Sequence, residues 1–408
     1  MKINQWTLGL AAVGLVSLAS VAQADENKLV PVLTEVSSTT ISGYVDTAAE
    51  WRPGGQDGFV GRLYDTTGPN GSKENGISLN VVSVSLDKPL DEGKWSAGYH
   101  IQALAGPEAT TRAVGVLNNG NSTDFALNEA YISMRAPVGN GLDFQAGQFG
   151  TWAGYESFDG YKNANYSRSY GFLIEPSAHV GVTAKYTFAS WLSAGVGVGN
   201  SYSKAIDATG PDYTDKTYLG RLDFTAPESA GFLKDTKLTL VWTGGRQDVT
   251  AAAAGFTPGV FDAAGRVVNG NVETYYAGLT IPTPIKQVTV GAAWDYRDAN
   301  DYFAHALAGY INWSVTDKFK LNGRIDWADG SNDSIYSPAL TGNTKANDEL
   351  LSATLTADYS LWANVITRAE FRWDHSLNSV APFNSVGTGT VGDERNAMTV
   401  ALNVIYKF

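Results

Sequence analysis

Met398-Thr399-Val400-Ala401-Leu402-Asn403-Val404-Ile405-Tyr406-Lys407-Phe408 closes the sequence, and its reading decides the fold. Met398, Val400, Leu402, Val404, Tyr406 and Phe408 fall on one side of an extended chain. Thr399, Ala401, Asn403 and Lys407 fall on the other, with Ile405 the exception. Successive side chains of a strand point to opposite faces, so one face here is oily and the other mostly polar. Upstream, 361–374 opposes Val365, Thr367, Ala369, Phe371 and Trp373 to Asn364, Arg368, Glu370, Arg372 and Asp374. Segment 317–328 opposes Phe319, Leu321, Ile325 and Trp327 to Lys320, Asn322, Arg324 and Asp326. In 287–297, Val288, Val290, Ala292, Trp294 and Tyr296 oppose Gln287, Thr289, Asp295 and Arg297. Charge on one face and apolar side chains on the other suit a wall between lipid and a wet lumen.

Extending this alternation along the chain gives sixteen candidate strands: 39–51, 76–87, 94–104, 125–136, 141–149, 179–188, 191–200, 216–226, 236–245, 272–281, 287–297, 302–314, 317–328, 349–359, 361–374 and 396–408. Most are long enough to cross hydrocarbon when tilted. Their connections alternate. Short turns lie at Asp87 to Gly93, Pro137 to Gly141, 188–191, 227–235, Pro282-Thr283-Pro284, Thr316-Asp317-Lys318 and Ser360. Long loops lie at 52–75, 105–124, 150–178, 201–215, 246–271, 329–348 and 375–395, and only 298–301 breaks the rhythm. Short periplasmic turns opposite long extracellular loops define an all-β transmembrane antiparallel barrel of about sixteen strands. A loss of phase between Val81 and Val82 predicts a bulge.

Composition agrees. The 408 residues include 44 Gly and no Cys, carry a formal net charge of −12, and are 12% aromatic but only 17% charged. Disulfides and thiolate chemistry are excluded, and the acidic balance argues against nucleic acid. Lys2, the apolar run Leu8 to Ala22 and the site Ala22-Gln23-Ala24 have the layout of a secretory signal peptide over 1–24. Residues 25–38 then form a short periplasmic segment, and 39–408 the barrel. No later apolar run is long enough for a spanning helix, which leaves a closed barrel as the membrane solution.

Several stretches resemble a known family. Thr40-Ile41-Ser42-Gly43-Tyr44-Val45-Asp46 resembles the first strand of OmpL-like β-barrel porins. Gly147-Gln148-Phe149-Gly150-Thr151-Trp152-Ala153-Gly154-Tyr155-Glu156 and Asn165-Tyr166-Ser167-Arg168-Ser169 are similar to that family too. So is Arg368-Ala369-Glu370-Phe371-Arg372-Trp373-Asp374-His375, at the penultimate strand. Tyr406-Lys407-Phe408 resembles the terminal signal that outer-membrane assembly machinery reads. The resemblance runs over most of the mature chain and implies an outer-membrane porin of Gram-negative type, passing small hydrophilic solutes and ions by diffusion, in contact with outer-membrane lipid. Analogy with general porins adds a homotrimer.

The loop 150–178 is long and rich in aromatics, and a loop this apolar is not expected to hang in water. Resemblance to general porins implies that it folds into the barrel and narrows it. Its candidate constriction residues are Trp152, Tyr155, Glu156, Asp159, Lys162, Arg168 and Glu175. Candidate pore-lining residues on the later strands are Arg221, Arg297, Arg324, Arg368, Glu370 and Arg372, with Asp223, Asp295, Asp326 and Asp374 beside them. Rings of charge set ion preference in pores; the other reading of these residues is Arg–carboxylate pairs two residues apart, bracing the wall.

No catalytic or cofactor pattern emerges. His100, His179, His305 and His375 are scattered, and none forms H-E-x-x-H. Gly195-Val196-Gly197-Val198-Gly199 lacks the spacing of a nucleotide loop and reads as small lumen-facing residues. Asp329-Gly330-Ser331-Asn332-Asp333 lacks a full calcium-loop pattern and reads as a solvated turn. The sequence therefore points to a channel without enzymatic activity, cofactor or metal. The alternatives are a sugar-selective pore with an aromatic sliding surface, a structural or adhesive barrel, and an outer-membrane hydrolase.

Overall fold

Sixteen strands run up and down, each antiparallel to the next: β1 (Thr40–Trp51), β2 (Gly76–Lys88), β3 (Ser96–Ala105), β4 (Phe125–Ala136), β5 (Leu142–Gly150), β6 (Ala178–Ala189), β7 (Leu192–Gly199), β8 (Thr217–Thr225), β9 (Lys237–Gln247), β10 (Gly270–Pro282), β11 (Val288–Ala299), β12 (Tyr302–Ser314), β13 (Phe319–Gly330), β14 (Glu349–Trp362), β15 (Val365–Ser376) and β16 (Asn396–Lys407). The sheet closes on itself, with β16 beside β1 in a register that sets Tyr44 opposite Lys407 and Trp51 opposite Val400. Closure removes the free edges that an open sheet would present to lipid. The computed structural model describes residues 38–53, 56–57, 76–110, 125–200, 202, 216–247, 270–299, 302–331, 349–378, 383–385 and 394–408. The leader expected at 1–24 and nearly all of the segment expected at 25–38 lie outside them, as do most of the long connections other than 151–177. The barrel unit runs from Ser42 to Phe408; residues 1–41 form a separate unit, described only from 38. Among the described residues no helix is long and apolar enough to cross a membrane.

Alternation sorts the faces as expected. On β16, Met398, Leu402, Val404 and Tyr406 are exposed outward, while Thr399, Ala401, Asn403 and Ile405 are buried. On β7, Val196 and Val198 face out, and Gly195 and Gly199 are buried. An outward band of this kind is stable only against lipid, where apolar surface need not be hydrated. Inside, polar side chains knit neighbouring strands together. Asp46 Oδ1 accepts from Asn80 and from Asn403, each at 2.6 Å, and so ties β2 and β16 to β1 across the closing seam.

Local departures have identifiable causes. The burial pattern of β2 changes phase between Asn80 and Val81, which are consecutive and both buried. Register shifts occur between Gln102 and Ala103, Thr187 and Ala189, and Ser360 and Trp362. The hairpin expected at Ser360 turns at Ala363 and Asn364 instead, because Trp362 still pairs with Val365. Ser360 stays in the ladder, donating its backbone N–H to the Lys318 carbonyl at 2.8 Å.

Candidate functional site

The connection between β5 and β6 does not leave the barrel. Residues 151–177 run along the inward faces of strands on several sides of it, and the bonds that hold them come from the wall. Its own local structure is slight: a single turn at Gly160–Lys162 and a short helix, α1 (Tyr170–Ile174), whose first turn is capped by Ser169 accepting from the Phe172 N–H at 3.3 Å. A segment with so little internal ladder must find partners for its backbone elsewhere.

Three arginines supply many of them. Arg324 on β13 donates to the carbonyls of Ser167 at 2.9 Å and Arg168 at 3.1 Å, to Glu156 at 2.8 Å and to its own neighbour Asp326 at 3.0 Å. Arg368 on β15 donates to the Gly160 carbonyl at 2.9 Å and the Asn163 carbonyl at 2.6 Å, and pairs with Asp358 on β14 at 2.9 Å. Arg372 donates to the Arg168 carbonyl at 2.6 Å, pairs with Asp374 at 2.7 Å and lies over the Tyr170 ring at 5.3 Å. Each guanidinium thus spends one edge on a carboxylate and another on loop carbonyls, which suits a buried planar five-donor group. Carboxylates complete the clasp from the acceptor side. Glu370 receives the backbone N–H of Tyr166 at 2.6 Å and of Ser167 at 2.9 Å, and Asp326 that of Tyr170 at 3.0 Å.

The acids and aromatics of the loop reach other strands. Asp159 Oδ1 accepts from Tyr44 on β1 at 3.1 Å and Gln102 on β3 at 2.9 Å, and its Oδ2 pairs with Lys162 at 2.7 Å. Burial opposes the charged form of Lys162, but the Asp159 carboxylate outweighs it and holds the ammonium pKa above its ordinary value. Tyr166 donates to Glu50 on β1 at 3.0 Å. Tyr155 stacks on Tyr310 of β12 with centroids 4.2 Å apart, and receives a hydrogen bond from Thr280 of β10 at 3.3 Å. Trp152 lies over Gly195 of β7, where an added Cβ would meet the indole at 3.1 Å. The glycine face of β7 therefore makes room for a loop tryptophan.

This geometry belongs to a known architecture. A model of the β-barrel porin-2, OmpL-like family matches residues 38–408. The chain is an OmpL-like porin. The closed sixteen-strand sheet is also similar to solved outer-membrane structures: an anion-selective porin from Comamonas acidovorans (9% identity, TM-score 0.58, covering 91% of this chain and 99% of that one), in-vitro folded OmpT of Vibrio cholerae in its trimer form (13%, 0.56, 91% and 99%), and Salmonella typhi OmpF in complex with daunomycin (10%, 0.56, 91% and 97%). Identities this low speak for the fold alone. A comparison with curated protein sequences gives no match. Family membership makes this an outer-membrane porin channel.

Within the porin, the inward arginines singled out from the sequence fall into two groups. Arg324, Arg368 and Arg372 have side chains at most 2% exposed, covered by the loop they hold. Arg297 is buried over the Tyr202 ring at 5.2 Å. Arg221 differs: it pairs with Asp223 at 2.8 Å, donates to the Trp152 carbonyl at 3.3 Å and keeps 29% of its side chain open. Among the loop residues, Arg168 turns inward on its own segment, donating to the Tyr166 and Phe158 carbonyls and lying over Phe172. Glu175 Oε2 lies 2.6 Å from where a Cβ on Gly154 would stand. Strand alternation alone did not single out Glu50, Asp358, Lys185 or the wall tyrosines Tyr44 and Tyr310. They are on inward phase, but Glu50, Tyr44 and Tyr310 meet the loop only through the distance across the barrel, while Asp358 and Lys185 pair with the wall residues Arg368 and Asp223.

Proposed function

We propose that this porin is a passive diffusion channel, without catalytic activity, whose bore is narrowed by the segment 151–177. The observation that carries the reading is the ring of wall side chains, from Tyr44 on β1 to Asp374 on β15, that hydrogen-bond to one loop inside the barrel. A sixteen-strand wall is wide enough for an aqueous channel, and a docked loop reduces that width to the scale of small hydrophilic solutes and ions. Ion preference then rests on charges that keep contact with water. Lys185, 49% exposed and 3.4 Å from Asp223, and Lys162, 52% exposed, are better placed for it than the enclosed Arg324, Arg368 and Arg372, whose role is to hold the loop. Arg221 and Asp223 share that open sector.

Export through a cleaved leader over 1–24, assembly directed by the terminal Phe408, and a homotrimer embedded in outer-membrane lipid complete the proposal. The trimer is supported by the trimeric form of the Vibrio cholerae OmpT structure and the export route by the layout of the first 24 residues. Single-channel recording of the purified protein in planar bilayers, with the reversal potential read in a salt gradient, tests the channel. Ohmic steps that do not saturate with salt support general diffusion. Saturable block by one neutral sugar would favour the sugar-selective alternative, for which the loop aromatics are the motive. Absence of conductance would overturn the proposal.

A further inference from the structure

A recess of 310 Å³ opens on the inward wall where β16, β1, β2 and β3 meet, toward the short-turn end of the barrel. Its walls carry Ser42, Ser83, Ser85, Gln102, Tyr161 and Lys407. Of the described residues that line it, Lys407 alone is basic. Among the described residues it has no carboxylate partner, and its ammonium lies over the Tyr161 ring at 5.7 Å. That ring is itself held edge-on by Tyr44, with centroids 5.0 Å apart.

Among the described residues, the side-chain acids nearest the recess are already engaged, and the Phe408 oxygen that also borders it accepts from the Gly43 N–H at 3.0 Å. Asp159 gives Oδ1 to Tyr44 and Gln102 and Oδ2 to Lys162. Asp87, one inward position beyond Ser85, is paired with His100 at 2.5 Å. A cation without a carboxylate partner, beside hydroxyls and an aromatic face, has unused capacity for an anion and for the hydroxyls next to it. The volume lies at the lower end of the ~300–1,000 Å³ range of ligand pockets.

We propose that this recess is a binding subsite for small hydroxylated carboxylates, with the carboxylate on the Lys407 ammonium, a hydroxyl on Ser85, and the carbon chain against Tyr161, while Ser83 is held by Gln102 at 3.0 Å. The proposal rests on the channel reading above and gives that channel a preferred class of solute at its periplasmic side. Tyr161 belongs to the docked loop and Lys407 to the last strand, so the subsite exists only when the barrel is closed and the loop is in place.

The test is open-channel block in planar bilayers by sodium D-gluconate, with D-glucitol as the uncharged control. Gluconate added on the periplasmic side should block saturably and D-glucitol should not. Lys407→Gln should raise the blocking constant roughly ten-fold, the scale of one lost charge-assisted hydrogen bond, while Lys407→Arg keeps block. Equal block by both solutes, or gluconate block unchanged in Lys407→Gln, would overturn the subsite while leaving the channel intact. Should Lys407→Gln fail to assemble, Ser85→Val reads the same loss away from the terminal strand. If the protein forms no conducting channel, the channel reading falls. Calorimetric titration of gluconate into the detergent-solubilised barrel then decides the recess alone: saturable heat lost in Lys407→Gln supports it, and no heat sinks it.

Discussion

Arg324 on β13 meets Glu156 of the loop inside the barrel at 2.8 Å, and their side chains are 0% and 5% exposed. The pair joins the wall to the segment that crosses the lumen, in a place where neither charge is hydrated. A buried ion pair of this kind adds little when compared with a well-packed apolar pair, but breaking it from one side leaves a charge without compensation.

Arg324→Met therefore strands Glu156 and Asp326 together, and should destabilise the barrel by roughly 3–5 kcal/mol. The temperature at which the heat-modifiable gel band shifts reads this directly. Glu156→Gln should cost less, since Asp326 remains with Arg324 at 3.0 Å. Equal shifts for both variants would contradict the arrangement.

Deleting Asp159 to Asn165 removes the turn that Arg368 holds through the Gly160 and Asn163 carbonyls. Single-channel conductance should rise, because the bore loses the part of the loop nearest β1 and β3. Conductance equal to the parent would reject the narrowing role of the loop.

Charge substitutions should separate water-facing from enclosed cations. Lys185→Gln and Arg221→Gln should move the reversal potential toward cation preference, because each removes a positive charge in contact with the bore. Arg372→Gln should lower thermal stability with a smaller change in reversal potential, since its guanidinium is 1% exposed and already opposed by Asp374. A selectivity change in Arg372→Gln as large as that in Arg221→Gln would argue against this division.

Gly43 allows the last residue to close the sheet. A Cβ there would meet the Phe408 ring at 2.5 Å as well as the Ser83 carbonyl oxygen, so backbone and ring compete for the space. Gly43→Val should reduce the fraction of heat-modifiable, detergent-stable barrel at steady state, measured by gel shift of membrane extracts. Gly231→Ala, in an exposed turn with nothing within 4 Å of its Cβ, is strained at φ 64° but should leave barrel closure unaffected.

Much of the architecture could be read locally. The period-two pattern in 396–408 and 317–328 was enough to assign lipid and lumen faces, because a one-residue slip would place Arg324 and Asp326 in hydrocarbon. The hairpin at Ala363 and Asn364 escapes this pattern, since Ser360 looks like a turn residue but has a ladder partner in Lys318. The loop could be recognised as unusual from its aromatics, yet the partners of each side chain could not.

The sequence alone determined the strands, their faces and the rhythm of short and long connections, since these depend on neighbours one or two residues apart. It also marked Arg324, Arg368 and Arg372 as inward. Only the closed barrel decided that these three hold a loop while Arg221 keeps contact with water. The reason is geometric. Tyr166 lies beside Glu50 and Glu370, residues 116 and 204 positions away in the chain, and no local pattern encodes which side chains a circle of strands brings to face one another.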